Sequence, residues 1–263
     1  MAAQLRLILS CNFQRNSVTT RQVPATRRIV PEVETALEIA WQATLARPGV
    51  KLYDGPVCRF ERWEVTDGRL VVDLSRTSYR VLVGTNFCHP EFVERFGYDV
   101  MANAIGVSTG LLTGDGHWIM GRRNNRVAYY PNRIHPFAGS IELADHIDLF
   151  ANAEREIREE VHLKPDDIRG TRLVGLVEDT ALKHPEAIFF ARTPKSRDAV
   201  AAGLDADEHH DVWSVPNAPA AVGEALDHPE LTPVAKAVLL LGGRSEFGQA
   251  WFDRHCVNQI APG

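Results

Sequence analysis

Residues 155 to 163 run Arg-Glu-Ile-Arg-Glu-Glu-Val-His-Leu, and on an α-helix this spacing sets Glu156, Glu159 and Glu160 on one face at i, i+3 and i+4. Three like-charged carboxylates held together call for a cation. An all-oxygen set suits a hard ion, Mg²⁺ or Mn²⁺, rather than zinc, and such ions are the usual partners of phosphate substrates. The chemistry expected is hydrolysis of a phosphate ester or anhydride. It requires an activated water and screening of charge on both the attacked and the leaving phosphate, all of which a divalent ion supplies. Without the ion the three carboxylates repel one another and are coupled in titration. A solvated acidic helix face is the competing reading of any Glu-rich stretch. Context weighs against it: Phe137-Ala138-Gly139-Ser140-Ile141-Glu142 lies just upstream after a strand-rich stretch, and Pro165 follows where the helix must have ended.

These residues resemble the Nudix box, a loop-helix-loop motif of the form Gly, five residues, Glu, seven residues, then Arg-Glu-apolar-x-Glu-Glu-x-Gly-apolar. Arg155, Glu156, Ile157, Glu159, Glu160 and Leu163 fall in place. Two positions depart from the pattern. His162 stands where the last glycine is usual, at a helix end that glycine serves best. Gly139 lies two residues further from the arginine than usual, so strict spacing lands on Ile147, with Glu142 or Asp148 able to take the first glutamate's role if the loop bulges. Further upstream, Arg76-Thr77-Ser78-Tyr79-Arg80, then Val81-Leu82-Val83 and Gly84-Thr85-Asn86-Phe87, are similar to the Nudix subfamily that hydrolyses UDP-glucose and UDP-galactose.

The resemblance implies a Nudix-type α/β/α sandwich with a mixed sheet (residues 101–263), preceded by a smaller α+β region (residues 1–100). It implies Mg²⁺-dependent cleavage of a UDP-sugar to UMP and a sugar 1-phosphate. Another nucleoside diphosphate derivative such as ADP-ribose, or a non-catalytic nucleotide-sugar sensor, are the alternatives. By the same analogy Glu156, Glu159, Glu160 and the Gly139 carbonyl hold the metal, and Arg155 pairs with a box carboxylate. Glu208, in Asp207-Glu208-His209-His210-Asp211, completes the catalytic set as base or ligand, with Glu178 and Glu186 as alternatives. Tyr79, Arg80, Asn86, Arg122 and Arg133 are the expected substrate-binding residues, the last two from a cluster that includes Arg123 and Arg126. Tyr129, Tyr130, Phe137 and Trp213 are candidates for stacking on a base or sugar, and His209 and His210 read as surface or hydrogen-bonding histidines.

The elements that must position these groups follow from periodicity and turn chemistry. The 263 residues, 44% of them hydrophobic, allow a well-buried core in one large or two modest domains. A formal charge of −5 advertises neither a nucleic-acid nor an anionic-membrane surface; the expected partner is a small anionic nucleotide sugar. Cys11, Cys58, Cys88 and Cys256 are scattered, without zinc-ligand spacing, and the absence of a signal-like start or a long apolar run points to the cytoplasm. Strands are expected at Leu5–Ser10, at Val57–Val65 and Leu70–Leu74 around an Asp67-Gly68 turn, and at Tyr79–Val83. Further strands are expected at Ala104–Leu112, His117–Arg122, Val127–Tyr130, Arg172–Val177, Ala187–Ala191 and Asp211–Val215. Helices are expected at Glu32–Leu45, at 90–96 opened by Pro90, and at Leu149–Val161 capped by Asp148. Two more follow at Pro233–Leu241 and Phe247–Val257.

Overall fold

In the computed structural model, which describes residues 4–50, 52–257 and 259–260, the amino-terminal segment supplies β1 (Leu5–Phe13), β2 (Val18–Gln22), α1 (Pro31–Leu45), β3 (Pro56–Thr66) and β4 (Arg69–Ser78). A one-turn α2 (Tyr79–Leu82) runs into a π-helical turn (Val83–Phe87), and α3 (Phe92–Phe96) follows, starting two residues beyond Pro90. Next come β5 (Gly106–Leu112), β6 (His117–Arg123), β7 (Ile134–His135), β8 (Phe137–Ser140), α4 (Leu149–Val161), β9 (Arg169–Asp179) and β10 (His184–Arg192). The chain closes with α5 (Arg197–Ala201), β11 (His209–Pro216), α6 (Pro219–Ala225), α7 (Pro233–Phe247) and α8 (Gln249–Cys256).

The architecture is mixed α/β, built on a large mixed sheet. Its strand order is β1-β9-β10-β5-β6-β11, with β10 and β5 parallel and the other neighbours antiparallel. Alternate residues of the strands serve opposite faces. Val174, Val177, Ile188 and Phe190 pack with α7, whereas Leu173, Leu176, Ala187 and Phe189 pack with Leu149, Phe150 and Ala153 of α4. Helices therefore cover both faces, as the expected α/β/α sandwich requires. The remaining strands of the amino-terminal segment form a second sheet, β2-β4-β3, whose Leu70, Val72 and Leu74 join the α4-side core. Asp67 and Gly68, at φ 52° and 71°, turn its hairpin with the left-handed pair that a two-residue connection favours. Among the described residues, no helix is long and apolar enough to cross a membrane.

The large sheet forks at β5. β5 pairs with β6 only at Leu111 and Leu112, while its first half, Gly106 to Thr109, pairs with β8. Beyond the fork, β6 pairs with β7 and β11, so the segment from Ile134 to Ser140 passes from β6 across to β5.

Two expected strands are replaced. Tyr79–Val83 coils because the Ser78 hydroxyl accepts the Val81 N–H and because Val81 and Leu82 bury against Leu37 of α1 rather than in a sheet. Gly84 permits that approach, since a Cβ there would sit 2.9 Å from the Leu37 backbone. Val127–Tyr130 is irregular. Arg126 N–H donates to the Asn124 side chain, Tyr130 and Asn132 take positive φ (48° and 61°), and the two-residue β7 pairs with β6 in its place.

Candidate active site

Helix α4 spans the residues that its pattern predicts because its ends are specified locally. Asp148 Oδ1 accepts the N–H groups of Phe150 and Ala151 at 2.8 and 3.1 Å, a cap worth about 1 kcal/mol. His162 ends the helix at φ 50°, the left-handed conformation in which glycine is commonest, and its Nδ1 lies 2.8 Å from the Gly203 carbonyl oxygen.

Leu149, Phe150, Ala153, Ile157 and Val161 bury the apolar face of α4, and Glu156 and Glu160 are buried with them. Glu156 enters a cleft of about 350 Å³ between β8 and the amino-terminal segment. Gly139 makes room for it: an added Cβ would lie 2.2 Å from Glu156 Oε1. Arg155 spans Glu156 and Glu159, at 2.7 and 2.8 Å, so it sets both carboxylates. Glu160 does not line the cleft. It lies beneath, accepting the Ala138 N–H at 2.7 Å and meeting His209 Nε2 at 2.5 Å. Glu208, beside His209, reaches the cleft from the other side, and Glu160, Glu208 and His209 offer ligand atoms within 4.8 Å of one another.

Packing carboxylates into an enclosed site shifts their titration. Burial lifts Glu156 to about 8, opposed by Arg155 and reinforced by Glu160, Glu159 and Glu208. Burial, then Glu208, pushes Glu160 well above the usual carboxylate range, while the Ala138 N–H pulls the other way. Burial and the nearby Arg123 guanidinium lower His209 to about 4. Each of these groups is disfavoured in its charged form by its surroundings, which is the environment that a divalent cation reverses for the carboxylates. The carboxylate oxygens, joined by one His209 nitrogen, and the glycine cradle fit a divalent cation such as Mg²⁺ or Mn²⁺.

The cationic side of the cleft is Arg123. It is 5% exposed, lines the cleft, and stacks 4.6 Å above the Tyr129 ring. Its Nε has no partner among the described residues. Among the described residues it forms no ion pair, and a buried guanidinium that faces open space is suited to an anionic ligand. The expected substrate arginines lie elsewhere. Arg122 reaches Glu230 at 2.9 Å and Arg133 donates to the Pro229 carbonyl. Successive strand residues face opposite ways, so Arg123 turns into the cleft when Arg122 turns out.

Of the other expected residues, Tyr79 lines the cleft, and burial raises its phenol to about 12. Arg80 is held outside by Glu38 and Asp54 at 2.7 and 3.3 Å. Asn86 ties the π-turn to the β9–β10 connection through the Leu182 and Lys183 carbonyls. Glu178 is engaged by Arg6 and Tyr98. Glu186 does line the cleft, over Gly106, with His184 Nδ1 at 3.1 Å and the Ser108 hydroxyl donating at 3.1 Å. Among the aromatic candidates Tyr129 is at the cleft with Phe87 stacked on it. Tyr130 donates to Asp179, Phe137 is buried with Ile157 and Val161 of α4, and Trp213 sits against His228. Arg123 belongs to the arginine cluster that the sequence offered without choosing among its members, whereas Tyr53 and His184 are cleft residues that the sequence did not single out. Strand parity could have separated Arg123 from Arg122, but no local signal marks His184.

No family model matches the chain, and no curated protein does. Solved structures that resemble it include the MutT protein from Methanosarcina mazei Go1, at 17% identity and TM-score 0.38 over 59% of this chain and 95% of that one. A C. elegans Ap4A hydrolase follows at 14% identity and TM-score 0.37, over 55% and 96% of the two chains. A bifunctional NMN adenylyltransferase/ADP ribose pyrophosphatase from Francisella tularensis is similar at 13% identity and TM-score 0.40, over 62% of this chain and 47% of its own. At such low identity and score the chemical case rests on the side chains of the cleft.

Proposed function

We propose that this chain is a divalent-metal-dependent hydrolase of the Nudix type that cleaves the pyrophosphate bond of a nucleoside diphosphate derivative. The substrate we infer is a UDP-sugar such as UDP-glucose or UDP-galactose, split by water into UMP and a sugar 1-phosphate. Residues 101–263 form the hydrolase domain in this reading, and residues 1–100 complete the cleft. One observation carries it: Glu156 and Glu159 from α4 and Glu208 from before β11 converge on a single cleft that also holds the buried Arg123, whose Nε has no partner among the described residues.

Glu156, Glu159 and Glu208 are the groups that would hold the ion, with the Gly139 carbonyl and Glu160 beside them. A bound divalent ion lowers the pKa of water and neutralises charge on phosphate oxygens. The chain's own groups do the rest. Arg155 fixes the Glu156 and Glu159 carboxylates through its two ion pairs. Arg123 binds a phosphate oxygen and stabilises the charge that builds up as the bridging bond breaks. Glu208 serves as base for the attacking water or as a ligand. Glu160 clamps α4 to β8 through Ala138 and to β11 through His209, which keeps the Gly139 turn and the helix in fixed relation.

The test is a substrate panel with Mg²⁺ or Mn²⁺, followed by ³¹P NMR in ¹⁸O-labelled water, which identifies both products and the phosphorus attacked. UMP and sugar 1-phosphate are expected from UDP-glucose. Turnover of ADP-ribose with UDP-glucose untouched would overturn the substrate, and no cleavage of any diphosphate would overturn the hydrolase.

A further inference from the structure

The cleft continues past Arg123. A second cavity of about 280 Å³ adjoins the first, and Leu52, Tyr79, Arg123 and Glu208 line both. Each chamber alone is near the lower end of the roughly 300–1,000 Å³ usual for small-molecule sites. A diphosphate with a ring at each end needs more room than one such chamber offers.

The chambers differ in chemistry. In the first, Phe87 and Tyr129 stack with ring centroids 4.4 Å apart, and His184 meets the Phe87 ring edge-on at 5.5 Å. Tyr53, 74% exposed, stands in its lining. These are flat, largely apolar groups suited to a planar ring. In the second, Arg126 donates to the Ala206 carbonyl at 2.9 Å and lies 3.7 Å from Asp207. Gly49, at φ 77°, packs on the Arg126 stem, where an added Cβ would come within 3.2 Å. A guanidinium that donates beside a carboxylate that accepts suits the adjacent hydroxyls of a sugar. Arg123, with its Nε unpartnered, stands where the chambers join and an anionic bridge would cross.

We infer that the two chambers divide the substrate, the nucleobase lying against Tyr53 and the rim of the Phe87–Tyr129 stack, the sugar ring against Arg126 and Asp207, and the diphosphate passing Arg123 between them. The assignment rests on the diphosphate reading above. Gly49, Leu52 and Tyr53 all belong to the loop between α1 and β3, so the amino-terminal segment touches both halves and selects both.

The two product halves test this separately. UMP and glucose 1-phosphate are titrated calorimetrically, each with Mg²⁺, into the full chain and its variants. Arg126→Ala is expected to weaken glucose 1-phosphate about tenfold and leave UMP within about twofold; Phe87→Leu is expected to do the reverse. Because Phe87 is packed in the wall, Tyr53→Ala probes the same chamber from an exposed position. Variants that weaken both ligands equally, a reversed pattern, or no binding of either ligand would overturn the division. Hydrolysis is measured in parallel. The split pattern in a protein that cleaves no diphosphate would sink the proposed reaction and keep the chambers; cleavage without the split would sink the chambers alone.

Discussion

Replacing Gly139 by alanine isolates the geometry of one carboxylate. The new Cβ would lie 2.2 Å from Glu156 Oε1, 2.3 Å from its Cδ and 2.5 Å from Oε2, whereas unstrained non-bonded contacts need roughly 3.5 Å. The carboxylate must therefore retreat by about 1 Å. Gly139 is in β8 and does not take a positive φ, so alanine brings no backbone strain and the whole effect falls on Glu156. The colliding atoms end a side chain and can swing aside, which holds the stability loss to about 1 kcal/mol, the low end for overpacking. Function is less forgiving, because the displaced carboxylate also pulls on Arg155 and through it on Glu159. A misplacement of about 1 Å can cost on the order of 10²-fold in rate. The assay is kcat/KM on UDP-glucose with Mg²⁺, alongside Tm, for Gly139→Ala, Glu156→Ala and the double variant. With Glu156 shortened the three nearest atoms are gone, so the glycine substitution should cost no more there than the roughly 0.5 kcal/mol of additive error. Near-wild-type activity for Gly139→Ala, or the same penalty in both backgrounds, would refute the reasoning.

Adjacent arginines offer a contrast. Arg123→Gln should lower kcat/KM by about 10²–10³-fold, the scale for removing a preorganised charge from developing phosphate charge, while Arg122→Gln, which loses its pair with Glu230 and a hydrogen bond to the Asn132 carbonyl outside the cleft, should change kcat/KM by less than about 1 kcal/mol; a larger effect at Arg122 would disprove the placement. Glu159→Gln is expected to cut Mg²⁺-dependent turnover by at least about 10²-fold, the several kcal/mol a metal site contributes, and Glu160→Gln to lower it by about tenfold through the loosened clamp on Ala138 and His209; unchanged kcat would remove either from its role. His135 supplies a pH test. Burial and the charge of Arg123 hold its folded-state pKa well below the ordinary 6.5, so below 6.5 the unfolded chain binds a proton that the folded chain refuses, and stability is lost as pH falls. Thermal melts between pH 5 and 7 should show a shallower slope for His135→Asn than for the wild type; equal slopes would contradict the assignment.

What the sequence alone determined lies within one turn or one strand. The limits of α4, the Asp148 cap, the left-handed His162 and the Asp67-Gly68 turn depend on groups a few residues apart, so their types and spacing specify them. The sandwich was expected from the motif that residues 155–163 resemble, while apolar periodicity placed most of its strands and helices. The cleft itself depends on partners far along the chain. Three glutamates share a helix face, yet Glu160 sinks beneath the others because His209, 49 residues away, and the Ala138 N–H receive it. Glu178 and Glu186 resemble Glu208 in sequence, but Arg6 and Tyr98 engage the first, and His184 and Ser108 the second. The apolar run 81–83 fits strand or helix, and only its burial against α1 decides for the helix. Which of two neighbouring arginines faces the cleft depends on how β6 registers with β7 and β11. A hydrogen bond across a turn is written in the local chain, whereas the parity of a strand and the partner of a buried charge are set only when distant segments pack.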